Sequence, residues 1–162
     1  MGPPTVPLYF AYGSNMSAPQ MADRCPGAVA LGPTRLPGYR FRINTHGSAN
    51  IVPDAGSGVH GVLWNCAPRD LKTLDLYEGV RVRNYLRRHV VVVSDAGESY
   101  PCLTYIGTRT WPGRPRVNYM MTAVIPGAVA HGLPDAYLEE LHAWMPRVVI
   151  GEKKIRYRGR RR

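Results

Sequence analysis

Glu78 closes the stretch Leu74-Asp75-Leu76-Tyr77-Glu78-Gly79-Val80, where a carboxylate follows an apolar helical pattern. Pro68 to Tyr77 reads as a short helix, with Pro68 tolerated in the first turn and Gly79 just past the end as a stop. Leu71, Leu74 and Glu78 fall at i, i+3 and i+7, so the carboxylate shares the face that carries both leucines toward a core. Partial burial and the negative end of the helix dipole both disfavour ionisation there. They raise the carboxyl pKa toward the range in which a group can give and take protons near neutrality. Two other outcomes are open: a helix that frays by Tyr77 and leaves Glu78 in water, or an ion pair with Arg81 or Arg83.

The second segment with chemical potential is Tyr9-Phe10-Ala11-Tyr12-Gly13-Ser14-Asn15-Met16. An apolar, aromatic run suited to a buried strand breaks into a Gly-Ser-Asn turn, and Ser17-Ala18-Pro19-Gln20 then has the pattern of a capping box opening a helix. A strand–turn–helix junction presents unpaired backbone N–H groups at the positive end of a helix dipole, a place for a carboxylate or phosphate. The same pattern also serves as an ordinary connection. It lacks the Lys and the Gly-x-Gly-x-x-Gly spacing of the phosphate-binding loops.

The strands and helices that would hold these groups can be read in outline. Strands are expected near Leu8 to Tyr12, Tyr39 to Asn44, Val59 to Trp64, Leu86 to Val93 and Tyr100 to Ile106. Helices are expected at Ser17 to Arg24, Pro68 to Tyr77, Asn118 to Ala130 and Pro134 to Trp144. Strands dominate the first two thirds and helices the last, an α+β arrangement. Thr108 to Arg116, rich in Gly, Pro and Arg, reads as an exposed loop suited to a pocket rim.

Composition narrows the function classes. A chain of 162 residues is long enough for one domain with a real core, here expected over residues 1–150, followed by a basic tail at 151–162. Cys25, Cys66 and Cys102 are odd in number and show no Cys-x-x-Cys spacing, which argues against a disulfide framework or a zinc site. His46, His60, His89, His131 and His142 are scattered rather than clustered. With no signal-peptide pattern and no membrane-length apolar run, the expected location is the cytoplasm. The formal net charge is +10, and residues 152–162 carry seven Lys or Arg against one Glu. That run suits either a solubilising end or nonspecific contact with nucleic acid or another polyanion, and the second makes the protein a basic binding module. Arg81, Arg83, Arg87 and Arg88 lie near Glu78 in sequence and could steer an anionic substrate toward it.

Four sets of residues together resemble one family, the γ-glutamylcyclotransferase-like proteins (AIG2-like or BtrG-like). They are the Tyr9 to Asn15 signature, Leu74-Asp75-x-x-Glu78-Gly79-Val80, Tyr85 seven residues after the glutamate, and Pro115-x-x-x-Tyr119 followed by Gly127-Ala128, His131-Gly132-Leu133-Pro134 and Tyr137. The resemblance implies a small mixed β-barrel with flanking helices and the site at one end. It implies a cyclotransferase that releases 5-oxoproline from a γ-glutamyl amine or γ-glutamyl amino acid, a small-molecule substrate, with no metal or cofactor. Glu78 takes the role of general acid/base. Tyr9, Phe10, Ala11, Tyr12, Gly13, Ser14 and Asn15 surround the γ-glutamyl group, and Tyr85 and Tyr119 line the pocket. The interval from Tyr119 to Gly127 is one residue longer than the family pattern. Either a kink at Pro126 absorbs the extra residue, or Met120 takes the pocket position in place of Tyr119.

Overall fold

A computed structural model describes residues 7–146, so the basic run at 152–162 lies outside the described residues. Five strands, β1 (Leu8–Ala11), β2 (Val29–Ile43), β3 (Ala49–Asn65), β4 (Tyr85–Ser94) and β5 (Ser99–Gly107), close into a barrel in the order β1-β3-β2-β4-β5. Neighbours are antiparallel except where β1 meets β5 in parallel, at Tyr9 and Leu103, so the barrel is mixed. Around it lie α1 (Ala18–Arg24), α2 (Pro68–Glu78), α3 (Val117–Tyr119), α4 (Ile125–Ala130) and α5 (Asp135–Ala143).

β2 and β3 are much longer than the sequence pattern indicates, at 15 and 17 residues. Gly32, Pro33, Pro37 and Gly38 read as strand breakers, yet they lie inside β2, where the β2–β3 register shifts between Ala30 and Gly32 and again between Pro37 and Tyr39. Gly32 and Gly38 take φ of 119° and 85°, values open to glycine at a bulge. The shifts bend the hairpin so that one ribbon can curl around the barrel. An alternation count cannot see this, because a bulge resets the period.

The core is filled by Phe10, Met16, Ile43, Ile51, Val59, Val62, Leu63, Leu74, Met120 and Leu141, each at 2% exposure or less. Leu71 and Leu74 of α2 enter this core, as their spacing predicts. At the N-terminus of α2 the Asp70 carboxylate accepts the Ala67 N–H at 3.0 Å. Gly79 ends the helix in the left-handed region (φ 64°, ψ 39°), closing it onto Asp75 and Leu76. Glu78 is thereby the last helical residue, not a frayed one.

Between α3 and α4 the chain makes a π-turn over Met120–Val124. A π-turn accommodates one more residue per turn than an α-turn. It sits just before Pro126, which has no N–H to offer the Thr122 carbonyl. The extra residue after Tyr119 is therefore absorbed as a bulge in the helix, without moving the residues on either side of it out of phase. Met120 is fully buried in the core, and Tyr119 keeps the outward-facing position over the barrel mouth.

Candidate active site

A cavity of about 460 Å³ opens at one end of the barrel, between β1, the turn after it, α2, β4 and the α3–π segment. Tyr9, Tyr12, Gly13, Ser14, Asn15, Tyr85 and Tyr119 all line it, together with Glu78. Phe10 and Ala11 do not reach it. Phe10 is fully buried, with its ring 6.3 Å from that of Tyr12, and Ala11 offers only a buried methyl. These two positions build the wall from behind.

Glu78 is the one carboxylate among the lining residues. Arg81 and Arg83 are both exposed and form no ion pair with it among the described residues. The cavity leaves the carboxyl a partial opening while the surrounding wall removes most of its hydration. Burial accordingly pushes its pKa from 4.5 up to about 7, against a smaller opposing pull from the Arg24 guanidinium. Tyr9, Tyr12, Tyr85 and Tyr119 are held above their usual range by burial first, and the Glu78 charge adds to the shift of each. These four phenols stay neutral in the same cavity as the one poised carboxyl.

The turn after β1 is braced from α1. Ser17 caps α1 by accepting the Gln20 N–H at 3.2 Å. The Gln20 side chain does not complete the reciprocal box. It donates instead to Ser14 Oγ at 2.6 Å and Asn15 Oδ1 at 2.9 Å. Asn15 also accepts from Arg24 at 3.0 Å and donates to the Tyr9 hydroxyl at 3.0 Å. The Asn15 amide is thereby engaged on both its oxygen and its nitrogen, which suits it to hold the turn rather than a ligand. Ser14–Met16 forms a single 3₁₀ turn, whose opening N–H groups have no partner within the turn.

No positive φ demands glycine at position 13, where φ is −116° and ψ is −135°. Space does. A Cβ on Gly13 would stand 3.0 Å from both the Ala49 Cβ and the Tyr119 hydroxyl. Gly13→Val is therefore expected to weaken ligand binding more than Ser17→Ala, which removes only a helix cap worth about 1 kcal/mol. Isothermal titration of both variants with the γ-glutamyl ligand that the sequence resemblance implies checks this, and equal losses would make the turn purely structural.

Tyr85 and Tyr119 are fastened to opposite sides of one residue, Ala49. The Tyr85 hydroxyl donates to the Ala49 carbonyl at 2.6 Å and accepts from Asn44 at 3.3 Å. The Tyr119 hydroxyl accepts the Ala49 N–H at 3.1 Å, which leaves its own proton to donate into the cavity. Arg116 stacks over the Tyr119 ring, 4.4 Å from its centroid, and Arg24 over the Tyr77 ring at 4.0 Å. Asp75 accepts two bonds from Arg87 and one from Tyr105 at 2.7 Å, and Tyr105 packs edge-on against Tyr9. Arg87 is therefore spent on Asp75. The arginines that line the cavity are Arg24 and Arg116, far apart in sequence and singled out by no motif.

Similarity to known proteins extends over most of the chain. The sequence pattern of the AIG2-like family matches residues 58–141. The human γ-glutamylcyclotransferase is 31% identical over 155 residues, covering 90% of this chain and 82% of that protein. The mouse γ-glutamylcyclotransferase is 30% identical over 155 residues with the same coverage. A solved γ-glutamyl cyclotransferase structure superposes with a TM-score of 0.82 at 29% identity, over 96% of this chain and 100% of that one. A fold shared over nearly the whole chain, and sequence identity spread across it, lead to one conclusion: the chain belongs to the AIG2-like, γ-glutamylcyclotransferase family.

Proposed function

We propose that this protein is a cyclotransferase that releases 5-oxoproline from a γ-glutamyl amine or γ-glutamyl amino acid, with Glu78 as general acid/base. The observation that carries the proposal is the Glu78 carboxyl, raised by burial to about 7 and the one carboxylate among the described residues lining a cavity that Tyr9, Tyr12, Tyr85, Tyr119 and a Gly-Ser-Asn turn also line. Family membership supports the reaction class.

A γ-glutamyl amide carries its own nucleophile, so the protein needs to fold the substrate rather than supply an attacking atom. The Glu78 carboxylate takes a proton from the substrate α-ammonium. The freed amine attacks the γ-carbonyl carbon and closes a five-membered ring. Negative charge then develops on the carbonyl oxygen, where N–H groups of the Gly13–Ser14 turn or the Tyr119 hydroxyl are suited to meet it. Protonated Glu78 gives its proton to the departing nitrogen as the old C–N bond breaks, the regenerated carboxylate takes the second proton from the ring nitrogen and passes it to the amine, and 5-oxoproline and the amine, now an ammonium, leave. A carboxyl with a pKa near 7 can run these transfers, because neither protonation state is far uphill at neutral pH.

The test is incubation with a panel of γ-glutamyl compounds, with 5-oxoproline followed by chromatography. Release of 5-oxoproline together with a stoichiometric amine is the expected result. A panel that includes γ-glutamyl amino acids and γ-glutamyl amines, none of which reacts, would refute the assignment.

A further inference from the structure

A second cavity of about 280 Å³ adjoins the first, and Ser48, Tyr77, Glu78, Tyr85 and Arg116 line both. Glu78 therefore stands at the junction of a two-part cleft. On the cyclotransferase reading, the nitrogen that Glu78 protonates also lies at that junction. With the γ-glutamyl half against the Gly13–Ser14 turn, the leaving half extends into the second cavity.

That cavity is cationic. Among the described residues its remaining walls are Asn44, His46, Asn84 and Arg109, so these give it two arginines and no carboxylate other than Glu78. Neither Arg109 nor Arg116 pairs with a carboxylate among the described residues. Arg109 contacts Asn84 Oδ1 at 3.1 Å, and Arg116 contacts Ser48 Oγ at 2.8 Å, so both are held by neutral partners.

The loop that carries these arginines is stitched to the β2–β3 turn beneath it. Arg42 donates to the Thr110 carbonyl at 2.7 Å, and Asn50 donates to the Arg109 carbonyl at 2.8 Å. The Gly113 N–H reaches the Ile43 carbonyl at 2.8 Å, and the Arg116 N–H the Gly47 carbonyl at 3.1 Å. Backbone held in this way brings two guanidinium groups to the cleft without the ordering cost that a free loop would pay on binding.

We infer that the second cavity selects a leaving group with two negative charges, an acidic amino acid rather than a neutral one or a cationic amine. The α-carboxylate of any leaving amino acid satisfies one arginine. A side-chain carboxylate satisfies the other, and a lysine or polyamine leaving group meets like charge. The inference rests on the proposed cyclotransferase reaction, because only that reaction puts the leaving half in this cavity.

The experiment compares kcat/KM for γ-glutamyl-glutamate, γ-glutamyl-alanine and the γ-glutamyl amide of lysine, in the wild type and in Arg109→Gln and Arg109→Lys. The expected order is glutamate above alanine by about tenfold, the scale of one charge-assisted hydrogen bond, with lysine lowest. Arg109→Gln is expected to bring glutamate and alanine near parity, and Arg109→Lys to keep part of the difference. Added salt should narrow the preference, since both arginines are solvent-accessible. No preference for glutamate in the wild type, or an undiminished one in Arg109→Gln, would overturn the inference while leaving the reaction intact. If no compound yields 5-oxoproline, the reaction itself is refuted. The charge preference is then read from calorimetric binding of γ-glutamyl-glutamate against γ-glutamyl-alanine, where equal affinity overturns it.

Discussion

Glu78→Gln is expected to lower turnover by roughly 10²–10⁴-fold while leaving the protein folded, because the amide keeps the shape of the carboxyl and loses its proton chemistry. The same substitution has a second, opposite effect on stability. Below pH 4.5 the folded and unfolded chains both hold the Glu78 proton. Between 4.5 and about 7 the unfolded chain releases it while the folded chain keeps it. Stability therefore falls as pH rises through that window and levels off above it. Glutamine has no such penalty, so the variant should gain on the wild type across the window, by up to about 3 kcal/mol at pH 8. Denaturant unfolding at pH 4 and pH 8 reads the difference. In kinetics, the wild type should show an acid limb in kcat/KM near pH 7, absent from the residual activity of the variant. Normal turnover by Glu78→Gln would remove Glu78 from the mechanism, and an equal stability difference at both pH values would remove its buried ionisation.

Gly127→Ala is expected to destabilise the protein by about 1–3 kcal/mol and to lower kcat/KM, although alanine in place of a mid-helix glycine ordinarily stabilises by about 1 kcal/mol. The reason is the approach of α4 to the turn after β1. A Cβ on Gly127 would stand 2.6 Å from the Met16 carbonyl carbon and 2.8 Å from the Ser17 nitrogen, both backbone atoms that cannot swing aside. Relief requires α4 or the 3₁₀ turn at Ser14–Met16 to move, and that turn forms the cavity wall. Gly27→Ala is the control, since no atom lies within 4 Å of its Cβ position. Thermal melts and initial rates of both variants decide the matter. A stabilised, fully active Gly127→Ala would mean that the helix does not set the position of the turn.

The short-range features of the site are written in local residue patterns. The i, i+3, i+7 spacing of Leu71, Leu74 and Glu78 is enough to aim a carboxylate along a buried face, and Gly79 is enough to end the helix there, because helix phase and termination are local properties. The Ser17 cap and the strand before Gly13 are legible for the same reason. Other features belong to the tertiary structure. The lengths of β2 and β3 depend on bulges that pass prolines and glycines through a ladder, and only the partner strand fixes where the register slips. Gln20 has the sequence of a capping-box residue, yet its amide turns to Ser14 and Asn15, since the folded turn brings those oxygens within reach. Arg24 belongs to no motif and reaches the cavity only through a chain crossing, while Arg116 ends the loop whose composition already suits a pocket rim. The choice between Tyr119 and Met120 could not be made from spacing, because one inserted residue shifts a helix by about 100° unless a turn widens to absorb it. The π-turn at Met120–Val124 does so, packing Met120 into the core and keeping Tyr119 on the cavity. Local pattern sets the phase of each element, while what two elements present to one another is decided only when they pack.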